Sequence, residues 1–480
     1  MRRFLLLALL ALSGTELRAQ ADSAVPPAVL AALRETLASR YVTPLDPDSL
    51  ARFTTAGAML ASLGDRHTIL FSPEGLKEFQ VMAGGRFGGI GARLGALRDT
   101  IYLTSVMDGS PASKAGLSTF DRIVAVDGQS VVGLSVDEAV THIRGPVGSN
   151  VRLTIRRGSK VSDWSVARDS VAVPSVGGAA ILDGGIAVLR LRQFGPGATT
   201  ELVSGVDQLV MAGAKGLVLD LRGNPGGLLE EAVSIAQLFL PPDAGLVEVR
   251  GRPGAPVQRA RAMAPPRYPR IPLGVLLDES SASAAEVLAG ALQDGHRAAV
   301  LGTQSYGKGS VQEIAPLPEG WAIKLTVARW YTPAGRGIDR GPQPAGEPID
   351  PAAPHKGGVT PDVVLTADST LVPPAAALTV IPNATWRALA DRIADWTEHA
   401  ATSGASAATP ADGGAVLSGV SVPDTLRARM TSWLTGRLTE SVMNARYGEA
   451  AQEGWRLTRD GEVEAARAWM ARRAENRGER

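Results

Sequence analysis

Ile271 to Asp294 reads IPLGVLLDESSASAAEVLAGALQD. Leu273 to Leu277 is apolar throughout and has strand length, while from Ala284 onward the apolar residues recur at helical spacing. Only a few small residues, ending in Ser280-Ser281-Ala282-Ser283, separate the two. A buried strand that hands over to a helix this abruptly is the repeating unit of an α/β sheet. The unit recurs through residues 181–365, where GIAVLRLRQF and GLVLDLRG alternate with the helical LEEAVSIAQLFL.

Outward from this region the pattern changes. Between Gly88 and Arg157 short β-rich runs (IYLTSVM, DRIVAVDG, NVRLTIRR) are broken by glycine and proline, as in a small β module. Val29, Leu30, Leu33 and Leu37 predict a helix, and Met59, Leu60 and Leu63 a second, shorter one. Residues 400–423 are small and interrupted by Pro and Gly, which reads as linker. From Asp424 to Arg480 the chain is charged and helical, with Trp433, Leu438 and Trp455 as expected core contacts.

The N-terminus predicts export. Arg2 and Arg3 precede the apolar run Phe4–Leu12, and Ala19 and Ala21 offer a cleavage site. Nine apolar residues are too few to span a bilayer, which takes about 20 in a helix. Loss of residues 1–21 leaves 46 basic and 47 acidic side chains. No later run of 18 apolar residues occurs, so the expectation is a soluble periplasmic, cell-envelope or secreted protein.

Composition excludes several chemistries. Among 480 residues there is no cysteine, hence no disulfide framework, thiol nucleophile or cysteine-ligated zinc. A net charge of +1 argues against nucleic acid as a partner. The five histidines form no H-E-x-x-H pair, so no metal is expected, and no cofactor motif stands out. Of the 49 basic residues, seven are lysine and 42 arginine.

Three junctions carry the chemistry. In GLVLDLRGNPGGLLEEAV, Gly216 to Val233, a strand ends in a glycine turn before a helix, where backbone N–H groups attract negative charge. By itself this is better read as a turn with a helix cap. Ser283 lies at a strand–helix junction like the nucleophile elbow of hydrolases, without a G-x-S-x-G. Taken alone, Ser283 to Glu286 is better read as a capping box. The third, VLGTQSYGKGSVQ (Val300 to Gln312), imitates a phosphate-binding loop from Gly302 to Lys308. Gly309 replaces the Ser/Thr of that loop, and Pro316 and Pro318 leave little room for the helix it needs.

Lys308 fits another task. A chain so biased to arginine would place arginine at a mere surface charge, whereas a lysine between glycines can lose its proton when buried. A neutral lysine can serve as general base to a serine.

These residues resemble the C-terminal processing peptidases, or tail-specific proteases. Their nucleophile lies in a segment like Ser281-Ala282-Ser283-Ala284-Ala285-Glu286, and their lysine in a G-K-G loop 25 residues later, as Lys308 is from Ser283. The resemblance implies that Gln312 orients the lysine and that Gly227 and Ala284 give N–H groups to an oxyanion hole. It implies a PDZ domain as well, with Gly89, Ile90, Gly91 and Ala92 in its carboxylate-binding loop. Further matches are LGDRHTILFSPE, SPASKAGL, RGPVGSNVRLTIRR, KLTVARWYTPAGRGI and GGVTPDVVL, so that the likeness covers roughly residues 29–365. Two departures stand out: Ala285 replaces a second serine, and Phe120 stands where PDZ modules usually have glycine.

The expected architecture is a multidomain α+β and α/β chain: a signal peptide at 1–21, an N-terminal helical region at 22–82, a PDZ domain at 83–165, a mixed-sheet α/β Ser–Lys protease core at 166–365, a linker-rich segment at 366–423 and a helical extension at 424–480. The expected function is an exported serine endopeptidase that recognises protein or peptide C-termini through its PDZ domain. Rival readings are a PDZ-type scaffold with an inactive core, a nucleotide binder, and a relative acting on a small ligand. For the tail, two readings stay open: helices that pair two copies of the chain, or a solvated, partly disordered extension.

Overall fold

In a computed structural model of the protein, the described residues are 25–83, 87–97, 99–171, 174–341, 357–365, 385, 388–389, 392–393, 413–418 and 422–478. The signal expected at 1–21 and most of the linker expected at 366–423 lie outside them.

A six-stranded mixed sheet forms the centre. Its order is Val176–Ile181, Ile186–Leu191, Gly216–Asp220, Leu273–Leu277, Ala299–Gly302 and Val363–Val364; the first pair is antiparallel and the rest run parallel. Side chains alternate along each strand. Ala187, Leu189, Leu217, Leu219, Val275 and Leu277 face the helices Ala198–Met211, Leu229–Gln237 and Ala284–Asp294. Val188, Val218 and Leu276 face the opposite way, onto Val463, Ala466 and Met470 of the last helix, Gly461–Gly478. A sheet covered on both faces needs strands that are apolar at every position, hence the unbroken runs in the sequence.

Beside it stands a second sheet, built on the long strand Ala322–Tyr331. That strand pairs with Ile69–Phe71, Ser310–Pro316 and Gly245–Arg250, all antiparallel, and Gln258–Arg261 completes the sheet. The N-terminal helices Pro27–Arg40 and Ala56–Ser62 seal it, with Val29, Leu33, Leu37 and Met59 packed on Ala315, Ile323 and Leu325. This brings residues just after the second helix close to the strand of Gln312, about 250 positions later.

Residues 87–171 form the expected β module, a six-stranded antiparallel sheet with the helix Val136–Ile143 over its core. The strand Ala92–Leu97 forms one edge of that sheet. In the tail, Asp424–Leu457 and Gly461–Gly478 are helical and packed, rather than solvated. Trp433 and Leu438 are buried, and Trp455 is half-buried. Within the stretch read as linker, a short helix Gly413–Leu417 buries Val416 and Leu417 against the same cluster.

Phe120 explains how this extension is seated. Its backbone is left-handed, φ 66°, the geometry for which PDZ modules favour glycine. Yet the ring is 2% exposed, stacks on Tyr102 at 5.1 Å and lies under the Arg437 guanidinium at 5.4 Å. It joins Met430, Trp433 and Leu434 in one cluster. The long helix also hydrogen-bonds the module, Ser105 Oγ donating to Glu449 Oε1 at 3.0 Å, and the core sheet, Arg192 Nε donating to Glu453 Oε1 at 3.0 Å.

Left-handed strain costs Phe120 roughly 1–2 kcal/mol. Loss of a buried phenylalanine costs roughly 3–5 kcal/mol. Packing therefore wins: Phe120→Gly should lower stability by about 2 kcal/mol and expose the extension helix to limited proteolysis. A variant as stable and protease-resistant as the parent would show that the ring does not seat the helix.

Candidate active site

The strand Leu273–Leu277 is buried at all five positions and delivers Asp278 to a tight turn. Ser281 does not face outward there. Its Oγ donates to Leu221 O at 2.8 Å, crossing to the neighbouring strand. Asp278 Oδ1 accepts from Gly223 N at 2.9 Å, so the turns that follow adjacent strands are laced together.

Ser283 comes next, 2% exposed, with φ 58° and ψ −115°. A non-glycine residue there costs on the order of 1–3 kcal/mol and persists only if its surroundings fix it. Several bonds do. Ala282 N donates to Asn224 O at 2.9 Å, Tyr306 N to Ser281 O at 2.9 Å, and Ser283 N to Glu286 Oε2 at 2.7 Å. The glutamate arm of the expected capping box is thus present, and it has a larger role than capping.

Glu286 is fully buried. Besides Ser283 N, its carboxylate accepts from Lys308 N at 2.9 Å, Gly307 N at 2.6 Å and Ser305 Oγ at 2.6 Å. Ser283 N and Lys308 N therefore reach the same oxygen, Oε2. Burial raises the Glu286 pKa, while the bonds from Ser305, Gly307, Ser283 and Lys308 pull it down.

The segment that imitates a phosphate loop is followed by a strand, Ser310–Pro316, where a nucleotide-binding loop would open a helix. Lys308 at its tip is buried. Burial, and then the neighbouring Lys324 ammonium, push its amine down to about 8, with Glu286 working the other way. Burial likewise lowers Lys324 to about 8, against the pull of Asp65.

The glycine turn meets the serine turn directly. A Cβ at Gly226 would lie 2.8 Å from Ser283 Cβ and 2.9 Å from Ala284 N, so only glycine admits the contact. Asn224, fully buried, shapes this turn: its Oδ1 accepts from Gly226 N at 2.8 Å and its Nδ2 donates to Leu191 O at 2.7 Å. Phe194 then pairs with Gly226 O and Leu228 N, a bridge that does not use the Gly227 amide. Ala284 N opens the helix Ala284–Asp294, where the first amides have no partner within the helix.

Gln312 sits four residues beyond Lys308, its Nε2 donating to Ser310 Oγ at 2.8 Å and to Thr326 Oγ1 at 3.3 Å. Gly89, Ile90, Gly91 and Ala92 line one wall of a cavity of about 780 Å³. Arg192, Gly223 and Pro225 of the core and Glu449 and Glu453 of the extension helix form other walls. The carbonyls of Ile90 and Gly91 are held by Ala112 N and Met107 N at 2.7 and 3.0 Å.

Several residues here were not singled out by motif. Asn224 and Glu286 were visible only as a turn residue and a cap. Asp65, Lys324 and Thr326 lay within segments that match the family but were assigned no role there. His67, one of the five histidines that form no metal motif, lies close enough to Lys308 to feel its charge; burial first, then that charge, hold it neutral.

Every partner of Glu286 is a donor, and each carboxylate oxygen has a backbone N–H against it. Glutamine, though isosteric, would set its NH2 against one of them whichever way it turned. Glu286→Gln should therefore destabilise the protein by about 1–3 kcal/mol in chemical denaturation. A midpoint equal to the parent's would mean that the carboxylate is not the anchor.

Comparison with known proteins gives consistent matches. The profile of Peptidase family S41 matches residues 185–365, and that of the PDZ domain residues 79–156. A carboxy-terminal-processing protease of Bartonella bacilliformis is 39% identical over 310 residues, 63% of this chain and 70% of that protein. The carboxy-terminal processing protease CtpA of Bacillus subtilis is 35% identical over 308 residues, 64% of this chain and 65% of that one, just under two thirds. Among solved structures, a photosystem II D1 C-terminal processing protease is 26% identical, covering 74% of this chain and 94% of that one, with a TM-score of 0.45. On the strength of the sequence relatives, the chain belongs to the carboxy-terminal processing proteases of peptidase family S41, serine-type peptidases, here with a PDZ domain ahead of the catalytic region.

Proposed function

We propose that this protein is an exported endopeptidase of the cell envelope that selects protein substrates by their C-termini and cuts them with a Ser283–Lys308 pair. The observation that carries the reading is the Glu286 carboxylate, which holds the backbone of Ser283 and of Lys308 on one oxygen. Export rests on the charged and apolar start of the sequence, residues 1–21.

In this reading Ser283 Oγ attacks the scissile carbonyl carbon as its proton passes to the neutral Nζ of Lys308. Negative charge gathers on the former carbonyl oxygen, where the N–H groups of Gly227 and Ala284 receive it. Removing one such donor typically costs about 3 kcal/mol of transition-state stabilisation. The Lys308 ammonium gives its proton to the departing amine, and the C–N bond breaks to leave an acyl-enzyme. Water, losing a proton to Lys308, then attacks the ester carbonyl, and Lys308 returns that proton to Ser283 Oγ as the C–Oγ bond breaks and the acid leaves. Gln312 keeps the amine in place. The substrate's C-terminal carboxylate meets the amides of Gly89–Ala92 while its last residues extend the edge strand Ala92–Leu97. That loop shares its cavity with Gly223 and Pro225, at the start of the turn that ends in Gly227, so the recognised end lies near the cutting site.

Ser283→Ala should abolish cleavage of a loosely folded protein with an apolar C-terminus and leave the melting temperature unchanged. Lys308→Arg should be as inactive as Lys308→Ala, because arginine stays protonated. Retained cleavage by either would remove that residue from the mechanism.

Lys308 works as a base only when neutral, and its pKa stands near 8. At pH 7 about a tenth of the enzyme is then competent. The value of kcat/KM should rise about tenfold per pH unit below 8 and level off above it. Lys324→Met removes a repelling charge and should move this limb to higher pH. A profile flat from pH 6 to 9 would contradict a lysine base.

A further inference from the structure

Asp65 lies outside the segments matched to the peptidase and PDZ profiles, yet its carboxylate reaches the strand beside Gln312. Oδ2 accepts from Thr326 Oγ1 at 2.6 Å, Thr68 Oγ1 at 2.7 Å and Tyr41 OH at 3.2 Å, and Oδ1 accepts from His67 N at 2.9 Å. Burial works to raise its pKa, but the bonds from Thr326 and Thr68 outweigh it and hold the carboxyl below its ordinary range. Asp65 is thus ionised and can only accept.

That fixes the direction of a hydrogen-bond chain. Thr326, 2% exposed, has a single hydroxyl proton, committed to Asp65. Toward Gln312, its partner in the strand register, Thr326 Oγ1 therefore offers only lone pairs. The end of the Gln312 amide that faces it has to be the NH2, at 3.3 Å, and Ser310 Oγ takes the same nitrogen at 2.8 Å. Both donors of the amide are then taken up by Ser310 and Thr326, and its carbonyl Oε1 is left to accept. A neutral lysine amine that donates one N–H to Oε1 keeps its lone pair for the serine proton. Reversed, the amide would present NH2 to the amine and compete for that lone pair.

We propose that Asp65, acting through Thr326, is a positioning residue that sets which end of the Gln312 amide faces the catalytic lysine. The proposal rests on the Ser283–Lys308 reading and adds to it a polarity device supplied by the N-terminal segment before the PDZ domain.

The test uses the full chain with Thr326→Val, Thr326→Ser and Asp65→Asn, assayed beside Lys308→Ala. Valine matches threonine in shape but cannot pass the polarity on, so kcat should fall at least tenfold while KM changes less than twofold. Thr326→Ser restores the hydroxyl and should recover most of kcat. Asp65→Asn can donate to Thr326 and reverse the chain, and should resemble Thr326→Val in kcat with KM again unchanged. If Thr326→Val keeps kcat within twofold of the parent while Lys308→Ala is inactive, the relay is wrong and the dyad stands. If Lys308→Ala is itself active, the dyad falls and the relay with it. Loss of kcat in valine and serine variants alike would also reject the relay, since packing alone would then explain it.

Discussion

The site is organised around one buried charge. Glu286 is wholly enclosed, and enclosing a carboxylate costs several kcal/mol unless hydrogen bonds offset it. Four donors do so, from Ser283, Ser305, Gly307 and Lys308. They lie on two loops, one following the strand Leu273–Leu277 and the other the strand Ala299–Gly302, which are neighbours in the sheet. Neither loop has regular structure of its own to hold its shape. Because the carboxylate is satisfied only when both are present, each loop is the other's condition. The strained φ of Ser283 is sustained in the same way, by partners on Asn224, Tyr306 and Glu286 rather than by local preference.

A second constraint adds to the first. Gly226 touches the serine turn at a distance no side chain would allow, and Asn224 holds that glycine turn from within. Three successive strands of the parallel sheet, ending at Asp220, Leu277 and Gly302, so present their turns on one edge, in mutual contact. This is where α/β sheets carry ligands, at the carboxyl ends of their strands. The Asp65 segment reaches the same place from the antiparallel sheet, because Ile69 pairs with Lys324 and so brings Asp65 near Thr326.

Legibility in the sequence followed the range of the interaction. Ser283 stood out because a strand and a helix abut it, and Lys308 because glycines flank it in a chain poor in lysine. Strands buried on both faces were readable as apolar runs. What escaped was whatever depends on a distant partner. Asn224 looks like any turn asparagine until Leu191 and Ala282 are placed beside it. Glu286 looked like a helix cap, as its bond to Ser283 is local, and its bonds to residues 305–308 are not. Phe120 was visible as an oddity, but its reason sits in Met430, Trp433 and Leu434, some 310 residues on. The tail could not be told from a solvated helix by its own charge-rich pattern, since the surfaces it covers belong to Phe120 and the far face of the central sheet.

The preference for arginine over lysine gains a physical meaning from these positions. Arg222 shows what arginine does here: it bonds Asp220 through Nε and Nη2, and Asp460 and Glu462 through Nη1, tying a strand end to the start of the last helix. Its pKa is driven upward by those carboxylates despite the opposing effect of burial, so it stays charged at any pH the fold survives. Arg168 likewise spends its fork on Ile143 O, Asn150 O and Ser149 Oγ. A planar, permanently charged group with five donors suits such junctions, and a lysine would satisfy fewer acceptors. Two of the seven lysines instead share one buried neighbourhood, where each amine is lowered to about 8. A guanidinium in either place would keep its charge and repel the other. Junction cations such as Arg222 and Arg168 thus use the side chain that cannot lose a proton, while the crowded pair Lys308 and Lys324 uses the one that can.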